Sequence, residues 1–199
     1  MTVTVIAYDQ GMSRWEPNAR GRLEQAALEL YGERGFEQTT VKEIAKRAGL
    51  TERTFFRHFA DKREVLFPGD SPLRELLVGA VADAPASAAP IDAVAAALEA
   101  VSGLFQERRE LARQRQTVIA AHPELQEREL IKLASLSSGL AEALRLRGVT
   151  EPAASLAAEA GMAVFRIAFA RWIAEDGGPD FSVFVHESLD ALKAVTAGR

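Results

Sequence analysis

The chain of 199 residues contains no cysteine, and histidine, methionine, tryptophan and tyrosine each occur only two or three times. Without cysteine it can form neither a disulfide framework nor a thiolate metal site. No apolar run is long enough to span a bilayer, so we expect no membrane partner. The first nine residues have no basic region ahead of their few apolar residues, so we expect no secretory signal and a cytoplasmic location.

Neither sign of charge dominates, but the two signs are unevenly distributed along the chain. The formal net charge is −4. The chain up to Leu66 contains eleven Lys and Arg and ten Asp and Glu. The remainder contains thirteen Lys and Arg and eighteen Asp and Glu. This asymmetry favours a small N-terminal unit that faces a polyanion, joined to an acidic body.

Helical periodicity runs through almost the whole sequence from Glu16 onward, and no segment has a convincing strand pattern. We therefore predict an all-α fold. The first helix should end near Gly35, and Asp61 with Glu64 has the capping spacing that predicts a fourth helix. In the C-terminal part, proline positions and apolar patterns predict helices after Pro90, from Pro123, over about 152–175 and over 180–197.

Two short helices joined by a glycine follow the first one, in the stretch "TTVKEIAKRAGLTERTFFRHF". Thr40 and Glu43 have capping-box spacing at the start of the second helix, Gly49 permits the turn, and Thr51 caps the third helix. This arrangement fits a helix-turn-helix unit, although a generic helical hairpin would show the same periodicity.

The outer face of the third helix has the side chains of a DNA-reading surface. Phe55 and Phe59 lie one turn apart and should hold the helix on its support. The polar side chains then left facing outward are Glu52, Arg53, Arg57 and His58. An α-helix fits the major groove, where Arg bonds a guanine edge and a Thr methyl meets thymine, so we expect Arg53, Thr54 and Arg57 to contact bases.

Phosphate contacts require other groups. The start of the second helix offers free N–H groups beside Thr39 and Thr40, and Lys62 is a second candidate anchor. Such contacts would set the register of the protein on DNA rather than read its sequence. Thr40 could instead serve only as a helix cap, and Lys62 could instead be a solvated surface cation.

The stretch "GERGFEQTTVKEIAKRAGLTERTFFRHFADKREVL", together with Arg22-Leu23 and Ala26-Ala27, resembles the DNA-binding head of TetR-family transcriptional regulators. The similarity covers about residues 20–66. By position it implies that bases are approached by Thr40, Glu52, Arg53 and Thr54, and that the DNA backbone is contacted by Phe56, His58 and Lys62. Phe56 stands where many family members have tyrosine, so it lacks a hydroxyl for a phosphate.

The resemblance also implies a homodimer on a pseudo-palindromic operator, formed by a four-helix bundle of the last two helices of each chain. The candidate interface residues are Leu156, Ala160, Val164, Phe181, Phe184, Val185, Leu189 and Leu192. These apolar stripes could instead face the core of a single chain.

A ligand pocket is expected in the body. Its candidate lining residues are Leu104, Phe105, Leu111, Met162, Phe165, Phe169 and Trp172, apolar side chains at helical spacing that also suit a plain core. The segments "VIAAHPELQERELIKL" and "FRIAFARWIAEDG" are similar to the bodies of mycofactocin-system regulators, which implies a lipophilic, acyl-CoA-like effector. The arginines available for its anionic head are Arg108, Arg109, Arg113 and Arg115, although a solvated basic face would also account for them.

Other function classes have little support in the sequence. It has no G-x-S-x-G, no phosphate-binding glycine loop and no H-E-x-x-H, so we expect neither an enzyme nor a cofactor. His186, Glu187 and Asp190 have metal-like spacing, but amphipathic helices place polar residues so routinely, and we predict no metal site. A helical interaction protein would leave the Arg53 and Arg57 face unexplained.

The predicted organisation has three parts: a mobile arm at 1–15, a helix-turn-helix DNA-binding domain at 16–67, and a ligand-binding and dimerisation body at 68–199. The break "FPGDSP", Phe67 to Pro72, is the predicted joint between head and body. The expected function is a ligand-responsive repressor. An activator or a ligand-independent regulator of the same fold remains the alternative.

Overall fold

The computed structural model describes residues 18–67, 72–105 and 108–198. Within these ranges the chain forms helices and turns and no strand, which confirms the predicted all-α class. The predicted arm at 1–15 and the centre of the predicted joint, 68–71, lie outside the described residues. The helices are α1 (Ala19–Arg34), α2 (Val41–Arg47), α3 (Glu52–His58), α4 (Pro72–Asp83), α5 (Pro90–Ser102), α6 (Arg109–Ala120), α7 (Pro123–Leu146), α8 (Ala153–Ala174) and α9 (Phe181–Thr196).

The head consists of α1, α2 and α3, which surround a small core. Leu23 from α1, Ile44 from α2 and Phe55 from α3 are each fully buried in this core. A large apolar side chain from each helix thus lies in the same core, and this packing stabilises two seven-residue helices that are too short to be stable alone.

The predicted fourth helix does not form directly after α3. Residues 61–66 make successive turns, in which the Asp61 carboxylate accepts from the N–H groups of Arg63 and Glu64 at 2.7 and 3.1 Å. The Tyr31 hydroxyl donates to the backbone carbonyl of Lys62 at 2.6 Å, which takes an acceptor that a continuing helix would use. Burial, and then the Asp61 carboxylate, raise the pKa of Tyr31, so this hydroxyl keeps its proton.

The body is a bundle in which α8 lies centrally and packs against α5, α6, α7 and α9. At Gly161 of α8, a Cβ would overlap a methyl of Val94 in α5, so the absence of a side chain permits the close approach of these helices. By length and composition α8 could cross a membrane, but buried residues along it, such as Ala158, Phe165 and Trp172, belong to the core of this bundle.

The apolar pattern does not identify α6, because its sequence "RELARQRQTVIA" contains three arginines and two glutamines and only its last turn is buried. That turn connects the two units. Val118 and Ile119 from α6 and Leu125 from α7 are buried in the core of the head, not in that of the body. The α6–α7 corner is therefore part of both units.

Polar contacts reinforce the same corner. The Arg115 Nε donates to the backbone carbonyl of Leu66 at 2.7 Å, and its guanidinium pairs with Glu129 at 2.6 Å. Arg128 pairs with Glu64, and the ring of His122 meets that of Phe36 edge-on at 5.3 Å. Head and body are thus held together by direct packing in addition to the covalent connection at 68–71.

Candidate nucleic-acid interface

The start of α2 is fixed by a complete capping box. The Thr40 hydroxyl accepts from the N–H of Glu43 at 3.3 Å, while the Glu43 carboxylate accepts from the N–H of Thr40 at 2.9 Å and from its hydroxyl at 2.8 Å. This satisfies donors at a helix end that would otherwise have no partner. Thr40 remains exposed, so its methyl is accessible while its hydroxyl serves the cap.

The start of α3 is capped in a similar way. The Thr51 hydroxyl accepts from the N–H of Thr54 at 3.1 Å, and the hydroxyls of these two residues are 3.0 Å apart. Between α2 and α3, Gly49 adopts a φ of 67°, a left-handed conformation that glycine adopts without steric cost. The turn and both caps follow from the local sequence alone.

The orientation of α3 is set by its two buried phenylalanines. Phe55 is 0% exposed and Phe59 is 4% exposed, and their rings meet at 5.5 Å. The opposite face carries Glu52, Arg53, Phe56 and Arg57, all of them exposed. The head therefore presents a convex ridge whose polar side chains point away from the protein.

The two arginines of this ridge are available for a ligand. Neither Arg53 nor Arg57 forms a salt bridge or hydrogen bond with another residue that the structure describes. By contrast, Arg47, on the preceding helix, bonds Glu33 at 2.7 Å and Glu29 at 3.2 Å. A guanidinium without an internal partner can form a bidentate pair with a base edge at no cost in broken salt bridges.

His58 lies at the edge of the ridge and is only partly accessible. Its Nε2 is buried without a hydrogen-bond partner among the described residues. Burial, and then the charges of Arg57 and Arg20, lower the pKa of His58, so the imidazole is neutral at pH 7. The predicted phosphate contact would have to use the other ring nitrogen, because Nε2 faces protein.

The side chains of two residues predicted to contact phosphate have partners within the protein. Thr39 is 1% exposed, and its hydroxyl donates to the carbonyls of Leu30 and Gly35 at 3.3 and 2.9 Å. Lys62 directs its Nζ at the carbonyls of Phe36, Glu37 and Thr39, at 2.8, 3.2 and 3.1 Å. All three ammonium protons are used, so Lys62 holds the α1–α2 loop.

The predicted ligand pocket is filled by its own side chains. Phe105, Phe165, Phe169, Trp172 and Phe181 form an aromatic cluster with ring centroids 4.9 to 6.4 Å apart. The remaining candidates differ in position: Met162 is buried in the body core, whereas Leu104 and Leu111 are exposed.

An open cleft of about 500 Å³ lies between α6 and α8, and two of its lining residues, Ala170 and Ile173, directly follow Phe169 and Trp172 of the cluster in sequence. Ile173 and Ala170 line its apolar side, and Arg113 and Thr117 line its polar side. The arginine is not a free cation, because Arg113 bonds the carbonyl of Ile173 at 2.7 Å and the carboxylate of Asp176 at 2.7 Å.

The other arginines predicted for an anionic head group are also engaged, apart from exposed Arg108. Arg109 donates to carbonyls after α8, among them those of Gly178 and Pro179, and lies over the ring of Trp172 at 5.2 Å. Arg115 bonds the carbonyl of Leu66 and pairs with Glu129 at the α6–α7 corner. Arg109, Arg113 and Arg115 therefore bond groups of the protein and are only partly exposed.

Most of the predicted dimer interface is core of the single chain. Val164, Phe181, Phe184, Val185 and Leu189 are each at most 5% exposed and pack within the body. These five side chains are covered by the single chain itself, because an apolar stripe on a helix does not say which neighbour covers it. Leu156 is 64% exposed, whereas Ala160 and Leu192 are partly buried.

Two of the α9 residues with metal-like spacing, His186 and Glu187, pair with residues of other helices. His186 Nε2 lies 2.7 Å from Glu99 of α5, and Glu187 bonds Arg171 of α8 at 2.5 Å. Among the residues that the structure describes, no group of three or more His, Cys, Asp or Glu side chains could hold a metal ion.

The packing of the α6–α7 corner into the head is the feature that sequence reasoning missed. The sequence pattern that could have indicated this corner is the segment "VIAAHP", in which an apolar pair precedes a helix that starts after His-Pro. Periodicity identifies a buried face, but it does not reveal that the face of Val118 and Ile119 is buried by a different unit of the chain.

A three-helix head with an outward helix-turn-helix ridge, joined to a larger helical bundle, defines a class of DNA-binding proteins. Residues 24–67 match the family model described as bacterial regulatory proteins, tetR family, and residues 88–197 match that of the MftR C-terminal domain. The chain belongs to the TetR family of bacterial regulatory proteins. Members of this family are transcriptional regulators rather than enzymes.

Individual relatives agree with this assignment. The chain is 42% identical over 84 residues to the transcriptional regulator TcmR of Streptomyces glaucescens, which covers 42% of this chain and 37% of TcmR. It is 28% identical over 121 residues to the mycofactocin biosynthesis transcriptional regulator MftR of Mycobacterium tuberculosis, covering 61% of each. The chain thus spans less than two thirds of the length of these relatives.

Two solved structures share the fold. The repressor FadR of Thermus thermophilus, in complex with lauroyl-CoA, has a TM-score of 0.51 at 24% identity, covering 87% of this chain and 92% of FadR. The complex of SmeT, from Stenotrophomonas maltophilia, with triclosan has a TM-score of 0.63 at 21% identity, covering 89% and 90%.

The role of Lys62 can be tested by removing its charge. We expect Lys62→Met to lower the free energy of unfolding by about 1–3 kcal/mol, because three carbonyls lose a charged donor. The control is Lys42→Met on the exposed surface of α2, which should change stability by less than about 0.5 kcal/mol. Urea denaturation at a fixed protein concentration measures both. Unchanged stability in Lys62→Met, with weakened DNA binding, would restore the phosphate role.

Proposed function

We propose that the chain is a DNA-binding transcriptional repressor that binds its operator as a homodimer and is released by a lipophilic small molecule. The observation that carries this proposal is the ridge of α3, where Arg53 and Arg57 are exposed and have no partner among the described residues, while Phe55 is fully buried behind them. A helix held in this way fits the major groove of DNA. The resemblance of the chain to soluble regulators of its family supports a cytoplasmic location.

Different side chains of the head are suited to different contacts with DNA. Arg53 and Arg57 are suited to guanine edges, Glu52 can accept from cytosine, and the methyl groups of Thr40 and Thr54 can meet thymine. Backbone N–H groups and other cations of the head would supply the sequence-independent contacts, whose strength falls steeply with salt.

Arg53→Ala tests the base-reading role. We expect operator binding to weaken by about 1–3 kcal/mol and base preference to relax at one position in each half-site, because a bidentate contact is lost. Arg108→Ala, which removes an exposed arginine of the body, is the matched control and should bind as the native chain does. Fluorescence anisotropy with operator and random duplexes measures both. Equal weakening on the two duplexes would contradict base reading.

The dimer is proposed to use the exposed apolar stripe of α8, not the buried residues of α9. Leu156 and Ile167 are 64% and 56% exposed, and the smaller Ala160 and Ala163 lie between them on the same face. Small side chains flanked by large ones let two helices approach closely. A two-fold dimer would place the α3 ridges about 34–36 Å apart on successive major grooves.

A carboxylate in this stripe tests the interface. We expect Ile167→Glu to weaken self-association at least about tenfold, because a dimer would have to bury an unpaired charge. Leu130→Glu, at a residue of α7 that is 60% exposed, is the control. Sedimentation equilibrium gives the dissociation constants. If both variants remain as dimeric as the native chain, the interface lies elsewhere.

The effector is proposed to be an acyl-CoA-like molecule that binds by displacing side chains of the aromatic cluster, which fill this part of the body in the structure. The cluster supplies a polarizable apolar site in the body, and the open cleft between α6 and α8 lies beside it. The FadR structure contains lauroyl-CoA and the SmeT structure contains triclosan, so related folds accommodate lipophilic ligands.

The packing of the α6–α7 corner into the head offers a route from ligand to DNA. A ligand that separates α6 from α8 would also move Val118 and Ile119, which are buried in the head. Such a ligand would favour one separation of the two heads over another, which is the population shift that release from DNA requires. This corner acts alongside the predicted joint at Phe67 to Pro72.

Trp172 reports on this site, because it is 2% exposed and lies within the cluster. In a Trp15→Phe chain, Trp172 is the remaining tryptophan. We expect lauroyl-CoA to change its emission and to weaken operator binding in the same concentration range, with free CoA as the control. Emission and DNA affinity that both stay constant with lauroyl-CoA would contradict this effector class.

A further inference from the structure

One phenylalanine differs from the other nine. All ten lie in the described part of the chain, and nine are buried or half-buried. Phe56 is 56% exposed, and it lies on α3. The cost of leaving a large aromatic ring in water is thus incurred at the surface proposed to enter the major groove.

The ring of Phe56 lies within the basic ridge rather than at its margin. Residues four apart on a helix share a face, which places Phe56 above Glu52 and beside Arg53, with Arg57 next in sequence. The ring packs edge-on against Phe55 at 5.5 Å with an interplanar angle of 83°. Because Phe55 is fixed in the core, this contact orients the exposed ring.

A phenyl ring cannot form the phosphate hydrogen bond that a tyrosine at this position could form. It has no donor or acceptor, so its favourable partners in DNA are apolar. The apolar group on the floor of the major groove is the 5-methyl of thymine, whereas the deoxyribose belongs to the backbone and carries no sequence information. A position between two base-reading arginines favours the floor over the backbone.

We infer that Phe56 determines specificity by contacting the 5-methyl group of one thymine in each operator half-site. This inference rests on the proposed function, and it replaces the backbone contact that family resemblance implies for this residue. It predicts that the operator contains a thymine whose methyl group contributes to the binding affinity of this chain, whereas the hydrogen-bonding groups of that base do not.

The test removes the methyl group from the DNA and the ring from the protein separately. An operator is first selected with the full-length native chain from a library of random duplexes. Each thymine is then replaced in turn by deoxyuridine, which deletes only the methyl group. Anisotropy titrations compare the native chain, Phe56→Ala, Phe56→Tyr and the body control Leu146→Ala, whose residue is 80% exposed. Circular dichroism and thermal melting establish that each variant is folded.

We expect deoxyuridine at one thymine of each half-site to weaken binding of the native chain about fourfold, as loss of one buried methyl contact should. Phe56→Ala should bind the unmodified operator more weakly and should not distinguish thymine from deoxyuridine there. Phe56→Tyr keeps the ring and should retain the thymine preference. Leu146→Ala should behave as the native chain does.

Three results would overturn the inference. In the first, no thymine is sensitive in the native chain although it selects an operator. In the second, Phe56→Ala keeps the full penalty for deoxyuridine. In the third, Phe56→Ala weakens operator and random DNA equally, which would assign the ring to the deoxyribose backbone. In each case the proposed function survives, whereas failure of the native chain to select any DNA sequence would refute both.

Discussion

The burial of Phe55 is the constraint on which the exposed ridge of α3 depends. This side chain of α3 is completely covered in the core that α1 and α2 form, beside the fully buried Leu23 and Ile44. Because α3 has only seven residues, its helical form and its direction come from this contact and from the Thr51 cap rather than from intrinsic stability. The same contact turns Arg53 and Arg57 outward and orients the ring of Phe56.

The head is completed by side chains that the body supplies. Val118, Ile119 and Leu125 close its core from the α6–α7 corner, and the Arg115–Glu129 pair ties that corner to the carbonyl of Leu66. Rigid packing transmits displacement because close-packed cores shift between discrete arrangements rather than deform smoothly. The same helix α6 contributes to the core of the head and borders the cleft between α6 and α8, which is the basis of the proposed route from ligand to DNA.

Cations of the head serve two different purposes that their residue types do not distinguish. Lys62 donates to three carbonyls and lies over the ring of Phe36 at 4.4 Å, so it is a structural clip between the α1–α2 loop and the segment after α3. Arg53 is exposed and has no hydrogen bond or salt bridge with another described residue. The role of a flexible cation depends on the groups that it bonds, and for Lys62 these groups are 23 to 26 residues away along the chain.

The sequence by itself determined the features that depend on neighbouring residues. Apolar spacing fixes the helices of the head, Thr40 with Glu43 fixes a capping box, and the prolines at 90 and 123 begin two helices where expected. Only the tertiary structure decided which donors are consumed and which apolar faces are covered. Lys62 bonds carbonyls 23 to 26 residues away, and Val185 is buried while Leu156 is exposed, although both lie on predicted interface stripes. Local pattern says that a side chain is apolar or charged, whereas its neighbours in space are set by how the helices pack.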